Sequence, residues 1–73
     1  MSQVAMVLQH LLAGGSLTPL ESLNLYGIMA LSQRVGELKR QGCPIKTEII
    51  SLPSHKHVAR YSWDWDNEKV PHG

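Results

Sequence analysis

The chain has 73 residues, 42% of them apolar, and a formal net charge of +1. This composition predicts one small globular domain, excludes a disordered chain, and gives no strong electrostatic argument for or against a nucleic-acid partner. No stretch approaches the ~20 apolar residues of a membrane span. The first residues lack the positively charged region of a signal peptide. The single cysteine, Cys43, fits a reducing cytoplasm.

The first predicted element is an amphipathic helix over residues 2–13. Ser2 is its expected N-cap, and Gly14-Gly15 ends it because glycine adopts the left-handed conformation at low cost. Residues 16–18 form a short extended link that could pair as a minor strand. The apolar residues that recur at helical spacing are Val4, Val7, Leu8, Leu11 and Leu12.

The second helix has the strongest local signal in the chain. Thr18 and Glu21 form a capping box, and Pro19 between them suits the first helical position. The helix is expected to begin at Pro19 and to last about two turns, until Tyr26-Gly27. Its inward-facing residues are expected to be Leu20, Leu23 and Leu25.

The third helix is predicted over residues 29–41. No Ser, Thr or Asp caps its start, so we expect an irregular first turn. Gly42 is the expected stop signal, and Pro44 follows it. The apolar face consists of Ile28, Leu31, Val35 and Leu38.

After Gly42 the periodicity changes to that of strands. Residues 45–52 and 57–63 are rich in β-branched and aromatic side chains and flank the turn-like Pro53-Ser54-His55-Lys56, so they predict a β-hairpin. The domain is expected to span residues 1–63. Residues 64–73, called here the acidic tail, are expected to be flexible.

Three helices followed by a two-stranded hairpin form an α+β arrangement that matches the winged helix-turn-helix plan. In that plan the third helix lies in the DNA major groove, and its N-terminal half meets base edges. Arginine can bond guanine, and glutamine adenine, through paired hydrogen bonds. The residues expected to contact bases are Ser32, Gln33 and Arg34.

The sequence also resembles small phage and prophage helix-turn-helix proteins of largely unassigned function, over about residues 8–63. The resemblance implies a DNA-binding fold and a phage setting. Ser22 departs from the pattern, which has alanine there. The matching residues are Gly15, Leu17, Thr18, Pro19, Leu20, Glu21 and Leu23; Leu31, Arg34, Val35, Leu38, Lys39 and Gly42; Pro44, Ile45 and Thr47; and Val58, Ala59, Arg60 and Tyr61.

Several polar side chains are expected to contact DNA phosphates. Several of the expected DNA contacts, to bases as well as to phosphates, also have a simpler interpretation: Arg34 can pair with Glu37 or Glu21, terminal helix cations complement the helix dipole, and strand lysines protect a sheet edge. Arg60 can cover the sheet with its stem. The expected phosphate contacts are Thr18, Lys39, Arg40, Lys46, Lys56, His57 and Arg60.

The sequence gives no support for catalysis, a metal or a cofactor. His55 and His57 could share one strand face, but zinc needs two further ligands, and Cys43 and His10 have no supporting spacing. There is no nucleophile elbow, phosphate-binding glycine loop or paired-carboxylate motif. We therefore expect no enzyme and no small-molecule substrate.

Two functions remain open at this point. The first is sequence-specific binding of double-stranded DNA, as a single chain or as a homodimer, by a transcriptional regulator or an excisionase-like factor. The second is a protein-interaction module that inhibits a host machine, such as a polymerase or a defence complex. Trp63 and Trp65 beside Asp64 and Asp66 suit a protein partner better than DNA.

Overall fold

A computed structural model describes residues 2–68. The predicted α+β arrangement of three helices followed by a hairpin is confirmed. The elements are α1 (Gln3–Leu12), β1 (Ser16–Leu17), α2 (Pro19–Tyr26), α3 (Leu31–Arg40), β2 (Ile45–Ser51), β3 (His57–Trp63) and α4 (Trp65–Glu68). The sheet is antiparallel with strand order β1-β3-β2, and α1, α2 and α3 cover the sheet face that carries the core.

Helix α1 begins as its sequence predicts. The Ser2 hydroxyl oxygen accepts a hydrogen bond from the Ala5 amide at 3.1 Å. Val7 and Leu11 are fully buried, whereas Leu12 is 44% exposed and lies outside the core. The predicted minor strand is also confirmed, since Leu17 pairs with Tyr61 of β3.

Helix α2 is capped as predicted but faces the core differently. The Thr18 amide donates to the Glu21 carboxylate at 3.0 Å, and the Glu21 amide donates to the Thr18 hydroxyl at 3.2 Å. The prediction that its leucines face inward is wrong: Leu20, Leu23 and Leu25 are 66%, 44% and 61% exposed.

The buried residue of α2 is Ser22, because a two-turn helix presents only a narrow strip to the core. Ser22 and Tyr26 are one turn apart on that strip, and Ser22 is fully buried. The Ser22 hydroxyl lies 2.9 Å from the Pro19 carbonyl oxygen and 3.1 Å from that of Ile28. The hydroxyl therefore has acceptors in its buried position.

The break between α2 and α3 depends on Gly27, whose φ of +69° is left-handed. Helix α3 starts at Leu31, two residues later than predicted, and Ala30 at its N-cap makes no side-chain cap. This irregular start was expected. The predicted apolar face is confirmed, because Ile28, Leu31, Val35 and Leu38 are at most 2% exposed.

Strands β2 and β3 form the predicted hairpin, with Ile45 opposite Trp63 and Ser51 opposite His57. Strand β2 ends at Ser51, one residue earlier than predicted. The sequence did not predict the helical turn α4 at the start of the acidic tail. Residues 69–73, the rest of that tail, lie outside the described residues.

Candidate nucleic-acid interface

The outer side of α3 is the surface opposite its buried face. Successive residues of an α-helix lie about 100° apart around its axis. Measured from Leu31, Val35 and Leu38, Gln33 and Arg40 lie opposite the buried side, and Gly36 and Glu37 lie about 50° to either side of them. We call Gln33, Gly36 and Arg40 the outer face; Glu37, on its other flank, is paired with Arg34. The side chains of the outer face are an amide and a guanidinium, both of which can donate hydrogen bonds.

Ser32 and Arg34 lie on opposite flanks of the outer face. They are two residues apart, so about 160° separates them on the shorter way round the helix. Ser32 is exposed, whereas the Arg34 side chain is only 27% exposed. The sequence places Ser32, Gln33 and Arg34 side by side, but only Gln33 stands near the middle of the exposed side.

The Arg34 guanidinium already has partners within α3. Its Nη2 lies 3.3 Å from Glu37 Oε1 and 3.5 Å from Gln33 Oε1. Its buried Nε has no hydrogen-bond partner among the described residues. Of the two carboxylates considered from the sequence, Glu37 is the one paired with Arg34. A base contact by Arg34 requires it to leave Glu37.

Gly36 lowers the surface in the middle of the outer face. A Cβ at this position would meet only Arg40 Nη1, at an ordinary contact distance of 3.7 Å. The packing of the protein therefore does not require glycine here. Glycine inside a helix costs about 0.5–1 kcal/mol relative to alanine. Helical spacing also predicts Gly36 on the side of α3 opposite the apolar face, but the sequence pattern assigned it no role in binding.

Arg40 ends the outer face at the C-terminal end of α3, and Lys39 lies beside it on the flank that carries Ser32. Both side chains are exposed, and within residues 2–68 neither forms an ion pair. Their charges also complement the negative end of the helix dipole. They are therefore free to meet an anion outside the protein.

Thr18 lies at the N-terminus of α2, where backbone amides favour anions. Its amide and its hydroxyl oxygen are both used in the capping box with Glu21. The hydroxyl hydrogen remains a donor for a phosphate. The neighbouring Glu21 carboxylate weakens the attraction of this site for a second anion.

The hairpin of β2 and β3, which we call the wing, carries the remaining predicted phosphate contacts. Lys46 is exposed on β2, and Lys56 is exposed in the turn that joins the strands. His57 Nδ1 lies 3.2 Å from the Ser51 hydroxyl. Arg60 pairs with Glu48 across the strands at 3.2 Å, so its charge is partly balanced within the wing.

Neither a metal-binding cluster nor a membrane-spanning helix is found in the described part of the chain. In residues 2–68 no group of three or more His, Cys, Asp or Glu side chains is placed to hold a metal ion. The same part of the chain contains no helix long and apolar enough to cross a membrane.

Comparison with known proteins identifies the architecture. The family model described as a winged helix-turn-helix domain matches residues 2–63. The match begins at the N-cap of α1 and ends with the last residue of β3. Neither the curated proteins nor the solved structures gave a match.

Proposed function

The chain belongs to the winged helix-turn-helix domain family, a fold that suggests DNA binding, and we propose on this premise that it recognises specific sequences of double-stranded DNA. The outer face of α3 is the observation that carries the proposal. It combines an exposed amide, exposed cations and a side-chain-free position at Gly36. Such a surface can approach base edges closely.

The N-terminal half of α3 contacts the bases in this proposal. Gln33 stands on the outer face and can bond adenine through its amide, while Ser32 contacts bases from the flank. Arg34 contacts a guanine by exchanging Glu37 for the base. The ion pair of Arg34 is partly exposed, and such pairs are worth only about 0–1 kcal/mol, so the exchange is inexpensive.

Contacts to phosphates position the helix without reading sequence. Lys39 and Arg40 supply them at the end of α3, and Lys46 and Lys56 supply them from the wing. Thr18, His57 and Arg60 add contacts that depend on partners already present in the protein. The few free cations fit a protein whose total charge is only +1.

The biological role that we propose is that of a phage or prophage regulator of transcription or an excisionase-like factor, acting in the cytoplasm of a bacterial host. The motifs of residues 15–23, 31–42, 44–47 and 58–61 support it, because they resemble small phage helix-turn-helix proteins. The proposal includes no catalytic step and no cofactor.

Selection of bound sequences from random DNA tests the proposal. We expect one enriched motif, and affinity for it that falls with salt by roughly 0.9 log units per log unit of salt for each phosphate contacted. Arg40→Ala should lower this slope, and Asn24→Ala on α2 serves as a control because it changes an exposed uncharged residue away from α3. Absence of any enriched motif and of any salt dependence would contradict the proposal.

A protein partner is the second candidate function, and a specific surface favours it. An apolar groove of about 260 Å³ lies between α2 and the wing, lined by Thr18, Pro19, Leu20, Ile50, Leu52 and Val58. Met29 and Trp65 are also exposed, at 85% and 46%. Binding of a host protein through this groove should be lost in Leu20→Asp and should change little with salt, unlike binding to DNA.

A further inference from the structure

Strand β2 forms one edge of the sheet, since within residues 2–68 its only neighbour in the strand order is β3. The middle of this edge is open: Lys46, Thr47, Glu48 and Ile49 are all exposed, and Ile49 is 66% exposed. A free edge presents backbone donors and acceptors to any strand that can lie beside it.

The backbone groups that face outward can be identified from the ends of the hairpin. The Asp64 amide donates to the Pro44 carbonyl, and the Leu52 amide donates to the Lys56 carbonyl, each at 2.8 Å. Both pairs continue the register of Ile45 with Trp63 and Ser51 with His57. Since hydrogen-bonded pairs alternate in an antiparallel ladder, even-numbered residues of β2 bond β3.

The odd-numbered residues therefore direct their backbone groups to the free edge. Ile45, Thr47 and Ile49 each offer one N–H and one C=O there. Pro44, which has no N–H, occupies an even position, so it removes no donor from this edge.

The edge sequence is complementary to itself. It reads Ile45-Lys46-Thr47-Glu48-Ile49, with isoleucines outermost, opposite charges inside them and threonine at the centre. We propose that two copies of the chain associate by antiparallel pairing of their β2 edges about Thr47. In this register Lys46 lies opposite Glu48 of the second copy, and Ile45 lies opposite its Ile49.

Backbone geometry permits this register. Thr47 faces Thr47 of the second copy as a hydrogen-bonded pair, because both direct their backbone groups outward. Lys46 and Glu48 of the second copy then form a non-hydrogen-bonded pair, whose Cα atoms are only about 4.5 Å apart. Opposite charges placed directly across strands at that distance stabilise the pairing.

The neighbouring symmetric registers are less favourable. A two-fold axis at Lys46 would place two lysines opposite each other, and an axis at Glu48 would place two glutamates together, which is destabilising. An axis at Ile49 leaves Lys46 and Glu48 opposite uncharged residues. The axis at Thr47 matches both charges and also places the exposed Ile49 beside Ile45, which is 9% exposed.

The resulting assembly has one continuous six-stranded sheet, three strands from each copy. Across the junction, Arg60, Glu48 and Lys46 of the second copy form a row of alternating charge, because Arg60 already bonds Glu48. The pairing uses no DNA. Its failure and the failure of DNA recognition can therefore be observed separately.

Charge exchange tests both the association and its register. Lys46→Glu and Glu48→Lys each place like charges opposite each other in a homodimer, and we expect either variant to raise the dimer dissociation constant about ten-fold or more. An equimolar mixture of the two variants restores opposite charges at every junction pair. The mixture should therefore associate like the unmodified chain in sedimentation equilibrium without DNA.

A backbone variant provides an independent measurement. Thr47→Pro removes an outward N–H and leaves the bonds to β3 in place, which edge strands tolerate. It should keep the circular dichroism spectrum of the unmodified chain, and the melting curve that the unmodified chain shows at concentrations too low for dimerisation, but sediment as a monomer. An unmodified chain that stays monomeric at its highest soluble concentration, or single charge variants that associate like it, would overturn the proposal. So would a mixture that fails to associate.

Discussion

The Ser22 hydroxyl lies 3.1 Å from the Ile28 carbonyl oxygen, and the Ile28 amide donates back to the Ser22 carbonyl at 3.2 Å. These reciprocal contacts join α2 to the start of the next segment across Gly27. They hold the turn that orients α3 across α2. Both residues are fully buried, so water does not replace the contacts when they are lost.

Ser22→Ala should therefore lower the free energy of unfolding by about 1 kcal/mol, because the Pro19 and Ile28 carbonyls lose the buried hydroxyl donor that they share. The exposed Ser32→Ala should change it by less than about 0.5 kcal/mol. Urea unfolding followed by circular dichroism measures both values. Equal stabilities of the two variants would show that the hydroxyl does not hold the turn.

The unexpected exposure of the three α2 leucines shows which parts of the structure could be predicted from the sequence and which could not. Capping residues, glycine stops and a change of period act locally, so they located α1 to α3 and β1 to β3 to within two residues. Three leucines in a two-turn helix could not all face the core, and the sequence alone did not identify Ser22 as the residue that does. That choice depends on the tertiary position of α2.

The candidate interface could also be predicted only in part. Helical spacing was sufficient to define the apolar face of α3, and its exposed side is the side opposite that face. The sequence offered Glu37 and Glu21 as partners of Arg34, and only the side-chain contact in the structure identifies Glu37. The open edge of β2 could not be predicted from the sequence, because it depends on the strand order, in which β3 lies between β1 and β2.

Gly36→Ala should separate stability from DNA binding. Alanine fits the space at this position and should raise the free energy of unfolding by about 0.5–1 kcal/mol. Its methyl group would stand between α3 and the DNA bases, so affinity for the selected site should fall. Thermal unfolding and a fluorescence anisotropy titration measure the two effects.

Gly27→Ala is the matched control on stability. A Cβ at Gly27 would meet no atom within 4 Å, so space does not limit this substitution, but the φ of +69° disfavours any L side chain. This variant should lose stability, by about 1 kcal/mol or more. If Gly36→Ala is stabilised and binds DNA as tightly as the unmodified chain, close approach at Gly36 is not part of recognition.

Gln33→Ala should weaken binding to the selected DNA by roughly 1–3 kcal/mol and relax preference at one base pair. Lys39→Ala should weaken binding to all sequences about equally, since phosphates carry no base information. Competition titrations with single-base variants of the site distinguish these outcomes. Unchanged preference in Gln33→Ala would remove it from the base-reading residues.

Arg34 requires a double-mutant cycle because its guanidinium bonds Glu37. Arg34→Ala should cost roughly 1–3 kcal/mol of specific binding if Arg34 leaves Glu37 for a base. Glu37→Gln frees the guanidinium and should strengthen binding, and more so with Arg34 present than in the Arg34→Ala background. Equal gains in both backgrounds would show that Glu37 acts only by its long-range charge.

His10 and Gly15 lie close together at the C-terminal end of α1. Nε2 of His10 donates to the Ser16 carbonyl at 2.9 Å, and Nδ1 lies 2.7 Å from the Tyr26 hydroxyl. A Cβ at Gly15 would stand 2.7 Å from Nε2, too close for both groups to keep their places. Gly15→Ala should therefore displace the ring and lower the free energy of unfolding by about 1–3 kcal/mol.

The same substitution in a His10→Ala background should cost much less, because the obstructing ring is absent. The difference between the two backgrounds is the coupling energy, obtained from urea unfolding of the four proteins. Equal costs in both backgrounds would place the effect of Gly15→Ala in the backbone rather than in contact with His10.

Deletion of residues 65–73 tests the acidic tail. The ring of Trp65 lies 6.1 Å from that of Trp63, centroid to centroid, and such aromatic pairs are worth about 0.5–1.5 kcal/mol, so the shortened chain should fold with slightly lower stability. It retains the bond from the Asp64 amide to the Pro44 carbonyl.

The same deletion removes two negative side chains, Asp66 and Glu68, and one positive side chain, Lys69. The remaining chain is therefore more positive, and its affinity for DNA at low salt should stay the same or rise. Trp65→Ala in the full chain is the matched variant: it should reproduce the loss of stability without the gain in affinity. A fall in DNA affinity with an unchanged melting temperature, in either protein, would place this segment in the DNA interface.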